Sequence, residues 1–236
     1  MPIYERTFEN AAADYEQSRP EYPRALYEDI FRYKSIDKSS EVLEIGVGTG
    51  KATRPFLETG CRLTGLEPGE NLAALAQKRL KTYPGFELRN ERLQDFTGPE
   101  GSCDLIYAAT AFHWVPAEYG YPRVRALLKS GGAFARFAYH AGPDKSRPAL
   151  AAEIEKVYRA VMGGGEQPEY GECEAQKLAG TAAAYGFADI AYHLYRFTKD
   201  FTADQYMALL HTYSDHMALA EANRKRLFDG IYNAIC

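Results

Sequence analysis

Apolar positions change their spacing repeatedly along the first 140 residues, from short continuous runs to helical faces and back. The short runs predict five strands, at residues 41–45, 61–67, 86–88, 104–109 and 133–139. Helical spacing between the runs predicts crossover helices, such as the face formed by Leu72, Leu75, Ala76 and Leu80. Because parallel neighbours need long connections of fixed hand, the alternation predicts an α/β fold with a doubly wound, mostly parallel sheet.

After the fifth strand the pattern becomes mainly helical. A sixth strand is predicted at residues 189–197, and the helix after it begins with a capping-box pattern formed by Thr202 and Gln205. A last amphipathic helix reaches the end of the sequence. We therefore predict a single domain over residues 1–236, with its core at about 39–141, an inserted helical segment at about 143–187, and a C-terminal strand and helices at 188–236.

The composition is that of a globular protein, because 46% of the 236 residues are apolar and 25% are charged. The formal net charge of −4 argues against a broad basic face, so nucleic acid is not expected as a partner. Four separated cysteines without a CxxC pair indicate reduced thiols. The N-terminus lacks the apolar segment of a signal peptide, and no run approaches the ~18 apolar residues that span a bilayer, so we expect a cytoplasmic protein.

Three glycines at alternate positions follow the first predicted strand, in the segment Glu44–Gly50, EIGVGTG. Without a Cβ atom, the backbone of such a turn can approach a ligand closely, and strand ends in open α/β sheets hold nucleotide-like ligands. A phosphate-binding GxxxxGK[ST] loop would need glycine in place of Ile45 and a hydroxyl in place of Ala52. A GxGxxG dinucleotide fingerprint would need its last glycine one residue after Gly50.

The segment Glu44–Gly50 resembles instead the glycine loop of class I S-adenosylmethionine-dependent methyltransferases, which is an acidic residue, an apolar residue and then GxGxG. Residues 108–114, AATAFHW, resemble the AxAFHW segment of the type 11 methyltransferase group. LLKSGG at 127–132 resembles its LLKPGG turn, and YEQSRPEYP at 15–23 is similar to its YxxxRPxYP segment. The resemblance covers most of the chain and implies a Rossmann-like methyltransferase fold.

This resemblance implies S-adenosylmethionine as the cofactor and S-adenosylhomocysteine as the product. Glu67, at the end of the second strand, can accept both ribose hydroxyl groups, an arrangement that suits a nicotinamide cofactor equally well. Leu93 and Gln94 align with the adenine edge, and Arg19 aligns with a residue that faces the cofactor's carboxylate. The predicted cofactor-binding residues are Arg19, Glu44, Gly46, Val47, Gly48, Thr49, Gly50, Glu67, Pro68, Leu93, Gln94 and Ala109.

His113, just after the fourth strand, is the candidate catalytic residue. A histidine with a near-neutral pKa suits the removal of a proton from an acceptor, and the alternative is that His113 and Trp114 form part of the pocket wall. His211 and His216 lie five residues apart, which does not place both on one helical face, so no metal site is predicted.

Together these features predict an enzyme that transfers a methyl group from S-adenosylmethionine to a small-molecule acceptor by in-line displacement. The acidic charge, and the lack of an Asn-Pro-Pro-Tyr segment after the fourth strand, favour a small molecule over nucleic acid. The identity of the acceptor is not encoded in these motifs. Two alternatives stay open: an NAD(P)-dependent oxidoreductase, and a non-catalytic S-adenosylmethionine-binding protein.

The end of the sequence departs from the expected fold, in which a seventh strand follows the final helix. Here residues 233–236 still read as helix. Either the seventh strand is absent or the sequence is cut short.

Overall fold

The structure is a computed structural model of the chain, and it describes residues 19–142, 145–163 and 170–236. Contacts divide the chain into two compact units. The sheet unit comprises residues 21–139 and 172–196, and the helical unit comprises the described residues of 1–20, 140–171 and 197–236. The single domain expected over residues 1–236 stays a prediction.

Among the described residues, five parallel strands form the sheet: β1 (Glu41–Ile45), β2 (Arg62–Leu66), β3 (Phe86–Arg89), β4 (Cys103–Ala109) and β5 (Leu128–Phe137). Their order in the sheet is β3-β2-β1-β4-β5. The chain therefore winds in one direction from β1 to β3 and in the other from β4 to β5, which confirms the predicted doubly wound sheet. The switch point lies between β1 and β4, where open sheets of this kind form a crevice beyond the carboxyl ends of the strands.

The helices are divided between the two units. The sheet unit contains α1 (Arg24–Tyr33), α2 (Arg54–Leu57), α3 (Glu70–Leu80), α4 (Ala117–Leu127) and α6 (Glu172–Ala184), and the helical unit contains α5 (Pro148–Met162), α7 (Ala203–Leu210), α8 (Ser214–Met217) and α9 (Glu221–Ile235). Within the described residues, no helix combines the length and the apolar character that crossing a membrane requires.

Alternate side chains along the strands contribute to two cores, one on each face of the sheet. Val42 of β1 and Leu105 of β4 belong to one core, together with Phe56 of α2. Leu43 and Ile106, the next residues along the same strands, belong to the other. Burial on both faces explains why these strands are continuous apolar runs in the sequence.

The sixth strand predicted at residues 189–197 is not formed. Its apolar residues Ile190, Tyr192 and Leu194 are exposed, so their alternation does not mark a buried face. The segment is held by side-chain hydrogen bonds instead of a backbone ladder: the Tyr195 hydroxyl donates to Asp29 Oδ2 of α1 at 2.5 Å. Alternation alone predicted this strand wrongly, because a strand also needs a neighbour to pair with.

β5 begins at Leu128, five residues before the predicted start. Cys103 and Leu105 of β4 pair with Leu128 and Ala133, so the intervening residues of β5 form an irregularity in the ladder. Gly131 lies within it at a φ of 72°, a conformation that favours glycine. Gly131 and Gly132, the last two residues of the LLKSGG segment that resembles a turn, therefore lie inside the strand.

The helical unit has a core of its own around Leu210, Leu227 and Ile231. The predicted capping box at the start of α7 is confirmed, because the Gln205 N–H donates to Thr202 Oγ1 at 3.2 Å and the Thr202 N–H donates to Gln205 Oε1 at 3.0 Å. Each bond satisfies a backbone donor at the helix start.

Candidate functional site

The glycine turn after β1 has a left-handed backbone at all three glycines. The φ angles of Gly46, Gly48 and Gly50 are 75°, 58° and 81°. A Cβ added to Gly46 would lie 2.4 Å from Cβ of Ala111, so only glycine fits beside the end of β4. A Cβ added to Gly48 would meet no atom within 4 Å. The turn therefore presents bare backbone to open space at the carboxyl ends of β1 and β4.

Glu67 connects the end of β2 to this turn. Its carboxylate accepts hydrogen bonds from the Gly48 N–H at 2.7 Å and from the Gly69 N–H at 2.9 Å. The Asn90 side chain, which follows β3, donates to the backbone carbonyl of Glu67 at 2.7 Å. The ends of β1, β2 and β3 are thereby linked through Glu67, the residue that the sequence assigned to a ribose.

Glu44 lies fully buried within β1. Its Oε2 atom accepts hydrogen bonds from the hydroxyls of Thr53 and Tyr107, each at 2.7 Å. Burial raises the pKa of Glu44 to about 8, and the two hydrogen bonds oppose this shift only in part. The group is therefore mostly protonated at neutral pH, and its hydrogen bonds connect β1 to β4 and to the residue that precedes α2.

The remaining cofactor-binding candidates of the sheet unit lie at strand ends or on the connections that follow them. Ala109 ends β4. Leu93 is buried in the turn after β3, where its carbonyl accepts from the Tyr119 hydroxyl at 3.4 Å, and the neighbouring Gln94 is exposed. Val47 and Thr49 are buried in the glycine turn, and Pro68 is half-buried after β2.

Thr110, the residue after β4, has an unusual backbone conformation that sequence reasoning missed. Its φ of 53° is positive, which is an outlier for a β-branched residue. The Thr110 and Tyr22 hydroxyls share a hydrogen bond, with their oxygens 2.6 Å apart. Tyr22 lies in the YxxxRPxYP-like segment, so the resemblance marked the region, but no sequence signal marks a strained threonine.

Arg19 is anchored within the helical unit. Its Nε and Nη2 atoms donate to Oγ1 and the backbone carbonyl of Thr212, at 3.0 and 3.1 Å. The guanidinium carbon also lies 4.6 Å from the centre of the Tyr213 ring. The guanidinium is thus held in one orientation, and its contact with a cofactor carboxylate stays a prediction.

His113 lies on a single 3-10 turn, Phe112–Trp114, directly beyond the end of β4. Its side chain is exposed, and its ring centre lies 4.8 Å from that of Trp114. His216 is by contrast buried, with its Nδ1 3.2 Å from the Leu210 carbonyl, and burial lowers its pKa. Across residues 19–142, 145–163 and 170–236, no three His, Cys, Asp or Glu side chains cluster as metal ligands would.

The polar groups at the glycine turn fit a ligand that carries hydroxyl and amine groups. Thr49 Oγ1 is buried and has no hydrogen-bond partner among the described residues, and the same holds for Glu44 Oε1. A buried polar atom without a partner costs about 1–3 kcal/mol, which a bound polar ligand or water can offset. Gly48, the residue before Thr49, has open space at its Cβ position. This space is consistent with a ligand against the turn.

Comparison with known proteins places the sheet in a family. Residues 42–132 match the family model described as a methyltransferase domain. An uncharacterized methyltransferase-like protein of Schizosaccharomyces pombe is 26% identical over 227 residues, which cover 94% of this chain and 83% of that protein. The family match spans the glycine turn, Glu67 and the end of β4.

Solved structures of methyltransferases share the fold. A candidate type II methyltransferase from Anaeromyxobacter dehalogenans has a TM-score of 0.61 at 22% identity, over 92% of this chain and 88% of that one. A Haemonchus contortus phosphoethanolamine N-methyltransferase, solved with phosphomonomethylethanolamine and S-adenosylhomocysteine, has a TM-score of 0.59 at 14% identity, over 100% of this chain and 56% of that one. At these identities the likeness extends to the fold alone.

Proposed function

Because the chain belongs to the class I S-adenosylmethionine-dependent methyltransferases, we propose that it transfers a methyl group from S-adenosylmethionine to a small-molecule acceptor. The observation that carries the proposal is the left-handed glycine turn at the switch point, with Glu67 bonded to its central amide. The H. contortus neighbour, which shares the fold, was solved with S-adenosylhomocysteine and phosphomonomethylethanolamine, so this fold can hold a donor product together with a small acceptor. The formal net charge of −4 also favours a small acceptor over a nucleic acid.

Residues at the strand ends would hold the cofactor in the roles that the sequence suggests. Glu67 would accept the ribose hydroxyls, since its carboxylate lies at the end of β2 and contacts the backbone of the glycine turn at Gly48. Leu93 and Gln94 would border the adenine. The Gly46–Gly50 backbone would contact the amino-acid end, and the role of Arg19 toward the cofactor's carboxylate rests on the sequence resemblance alone.

When bound, S-adenosylmethionine supplies a methyl group on a sulfonium, from which an acceptor lone pair displaces a neutral thioether. The chain's residues would mainly align the two reactants, a contribution of roughly 7–11 kcal/mol in well-oriented reactions. The rigid turn and the strand ends supply that alignment for the donor. His113 would accept a proton where the acceptor has one to lose.

Substitution of Gly48 tests the proposed cofactor site. Gly48→Ala places a methyl group in open space over the turn, so we expect at least about tenfold weaker binding of S-adenosylhomocysteine by calorimetry. Gly101→Ala is the matched control, because Gly101 also has a positive φ, of 63°, and also has open space at its Cβ. The two glycines have similar φ angles, so we expect similar backbone strain in both variants, and a ligand over Gly48 should separate their affinities.

Equal affinities of the two variants would contradict a cofactor over this turn. Binding of NADH by the wild type, without binding of S-adenosylhomocysteine, would support the oxidoreductase alternative. A screen of small amines, alcohols, thiols and acids with methyl-labelled S-adenosylmethionine then identifies the acceptor. Tight cofactor binding with no transfer to any acceptor class would favour the non-catalytic alternative.

The role of His113 has a separate test once an acceptor is known. If His113 removes a proton in the methyl-transfer step, His113→Ala lowers kcat by about 10²–10⁴-fold and leaves the affinity for S-adenosylhomocysteine unchanged. Trp114→Phe serves as the control, because Trp114 adjoins His113 on the same turn and carries no base. An unchanged kcat in His113→Ala would leave His113 as part of the pocket wall.

A further inference from the structure

The backbone at the end of β4 is strained, and several contacts hold it in that state. Thr110 and Asp189 are the non-glycine residues with positive φ among the described residues, at 53° and 52°. Aspartate adopts this conformation readily, because its short polar side chain bonds locally, whereas a β-branched threonine is a true outlier. Strain of this kind persists where the surrounding structure over-determines it, commonly at ligand sites.

Two hydrogen bonds hold Thr110, one through its main chain and one through its side chain. The Thr110 N–H donates to the Phe137 carbonyl at the end of β5, at 2.8 Å. The Thr110 hydroxyl shares a hydrogen bond with the Tyr22 hydroxyl, at an oxygen–oxygen distance of 2.6 Å. The main chain and the side chain of Thr110 are therefore both fixed.

Tyr22 is itself held in place by aromatic contacts. Its ring is stacked on Tyr139, with centres 4.4 Å apart and planes inclined by 11°, and meets Phe137 edge-on at 4.8 Å. The Phe137 ring thus contacts the Tyr22 ring, and the Phe137 carbonyl accepts the hydrogen bond from the Thr110 N–H. The three segments before α1, after β4 and at the end of β5 form one closed set of contacts.

The strained turn has a direct effect on the glycine turn. The chain bends at Thr110, and the next residue, Ala111, lies so close to Gly46 that a Cβ there would be 2.4 Å from the Cβ of Ala111. The conformation of Thr110 therefore determines where Ala111 lies, and Ala111 forms the part of the crevice that faces Gly46.

We propose that Tyr22 is a positioning residue of the cofactor site, whose hydroxyl group holds Thr110 in the left-handed conformation that seats Ala111 against Gly46. This inference rests on the proposed function, because it assigns the crevice between β1 and β4 to S-adenosylmethionine. Tyr22 acts through the backbone of Thr110 and needs no contact with the ligand.

A double-mutant cycle tests the inference, with S-adenosylhomocysteine as the probe in calorimetry. Tyr22→Phe keeps the stacked ring and loses the hydroxyl, so we expect binding to weaken by about three- to tenfold, the usual effect of one hydrogen bond. Thr110→Gly adopts a positive φ without strain and should bind within about twofold of the wild type. In the Thr110→Gly background, Tyr22→Phe should have no further effect, because glycine needs no hydroxyl to hold it.

Thermal unfolding of every variant separates positioning from general stability, and Tyr195→Phe provides the control. The Tyr195→Phe variant also loses a short hydrogen bond within the sheet unit, the one to Asp29, and this bond does not involve Thr110. An affinity loss from Tyr22→Phe that is equal in both backgrounds, or the absence of any loss, would overturn the inference. Failure of the wild type to bind S-adenosylhomocysteine would instead overturn the proposed function, before the variants are compared.

Discussion

Glu44 shows how a single residue can belong to a binding motif and also to the core of the sheet. Its position, two residues before the first glycine, marked it as part of the motif. Its partners Thr53 and Tyr107 lie on other elements, and Tyr107 is the residue paired with it across β1 and β4. Sequence reasoning identified the carboxyl group, and the register of the sheet determined what surrounds it.

The raised pKa of Glu44 predicts a specific pH dependence of stability. Its pKa rises from 4.5 to about 8 on folding, so between these values the folded state holds a proton that the unfolded state releases. The contribution of Glu44 to the free energy of unfolding is therefore complete below about pH 4.5 and declines by up to about 1.4 kcal/mol per unit as the pH rises towards 8. Glu44→Gln, which mimics the protonated acid, should remove this slope.

The free energy of unfolding in urea is measured for the wild type and for Glu44→Gln from about pH 5 to about pH 8. The difference between the two proteins is then compared across the pH values. The difference matters because His216, whose pKa burial lowers, contributes a slope of opposite sign in both proteins. Glu41→Gln is the control, since Glu41 lies on the same strand with its side chain 40% exposed. A pH-independent difference between wild type and Glu44→Gln would contradict the raised pKa.

Within the helices, two glycines show how local environment decides the effect of the same substitution. Gly180 of α6 has no atom within 4 Å of an added Cβ. Gly230 of α9 would place that Cβ 2.7 Å from Cγ1 of Val157 on α5. Valine has one preferred rotamer in a helix, so Val157 cannot easily turn away.

We therefore expect opposite effects of alanine at the two glycines. Gly180→Ala should raise the free energy of unfolding by about 0.5–1 kcal/mol, because alanine loses less backbone entropy in a helix. Gly230→Ala should lower it by about 1 kcal/mol, because an overpacking cost of about 1–3 kcal/mol exceeds the helical gain. In a Val157→Ala background, Gly230→Ala should instead raise the free energy of unfolding, because the crowding side chain is gone. Denaturant unfolding checks each value, and stabilisation by Gly230→Ala alone would show that α5 and α9 adjust freely.

The elements differ in how well their patterns predicted them. Runs buried on both faces, such as β1 and β4, were predicted within a residue of their ends, because continuous burial gives a strong signal. Residues 189–197 have the alternation of a strand without its structure, since their apolar side chains are exposed. Pairing with a neighbour is a tertiary property that period-two spacing does not contain.

At the scale of the whole molecule, the alternation of strands and helices was enough to predict the sheet and the edge that holds the candidate site. Parallel strands bring their carboxyl ends together, so residues far apart in the sequence, such as Gly48 and Glu67, could be expected to meet. The strand order confirmed that expectation. The division into a sheet unit and a helical unit was not predicted, because contact density depends on packing between segments.

The sequence by itself predicted the doubly wound sheet, the glycine turn after its first strand and the meeting of that turn with Glu67, because glycine spacing and strand ends constrain the backbone locally. The tertiary structure alone decided the protonation of Glu44, the strained turn at Thr110 and the contacts of Tyr22. Each of these depends on desolvation or on hydrogen bonds between distant segments. Local sequence patterns do not specify such contacts, since they arise only after the strands have been placed side by side.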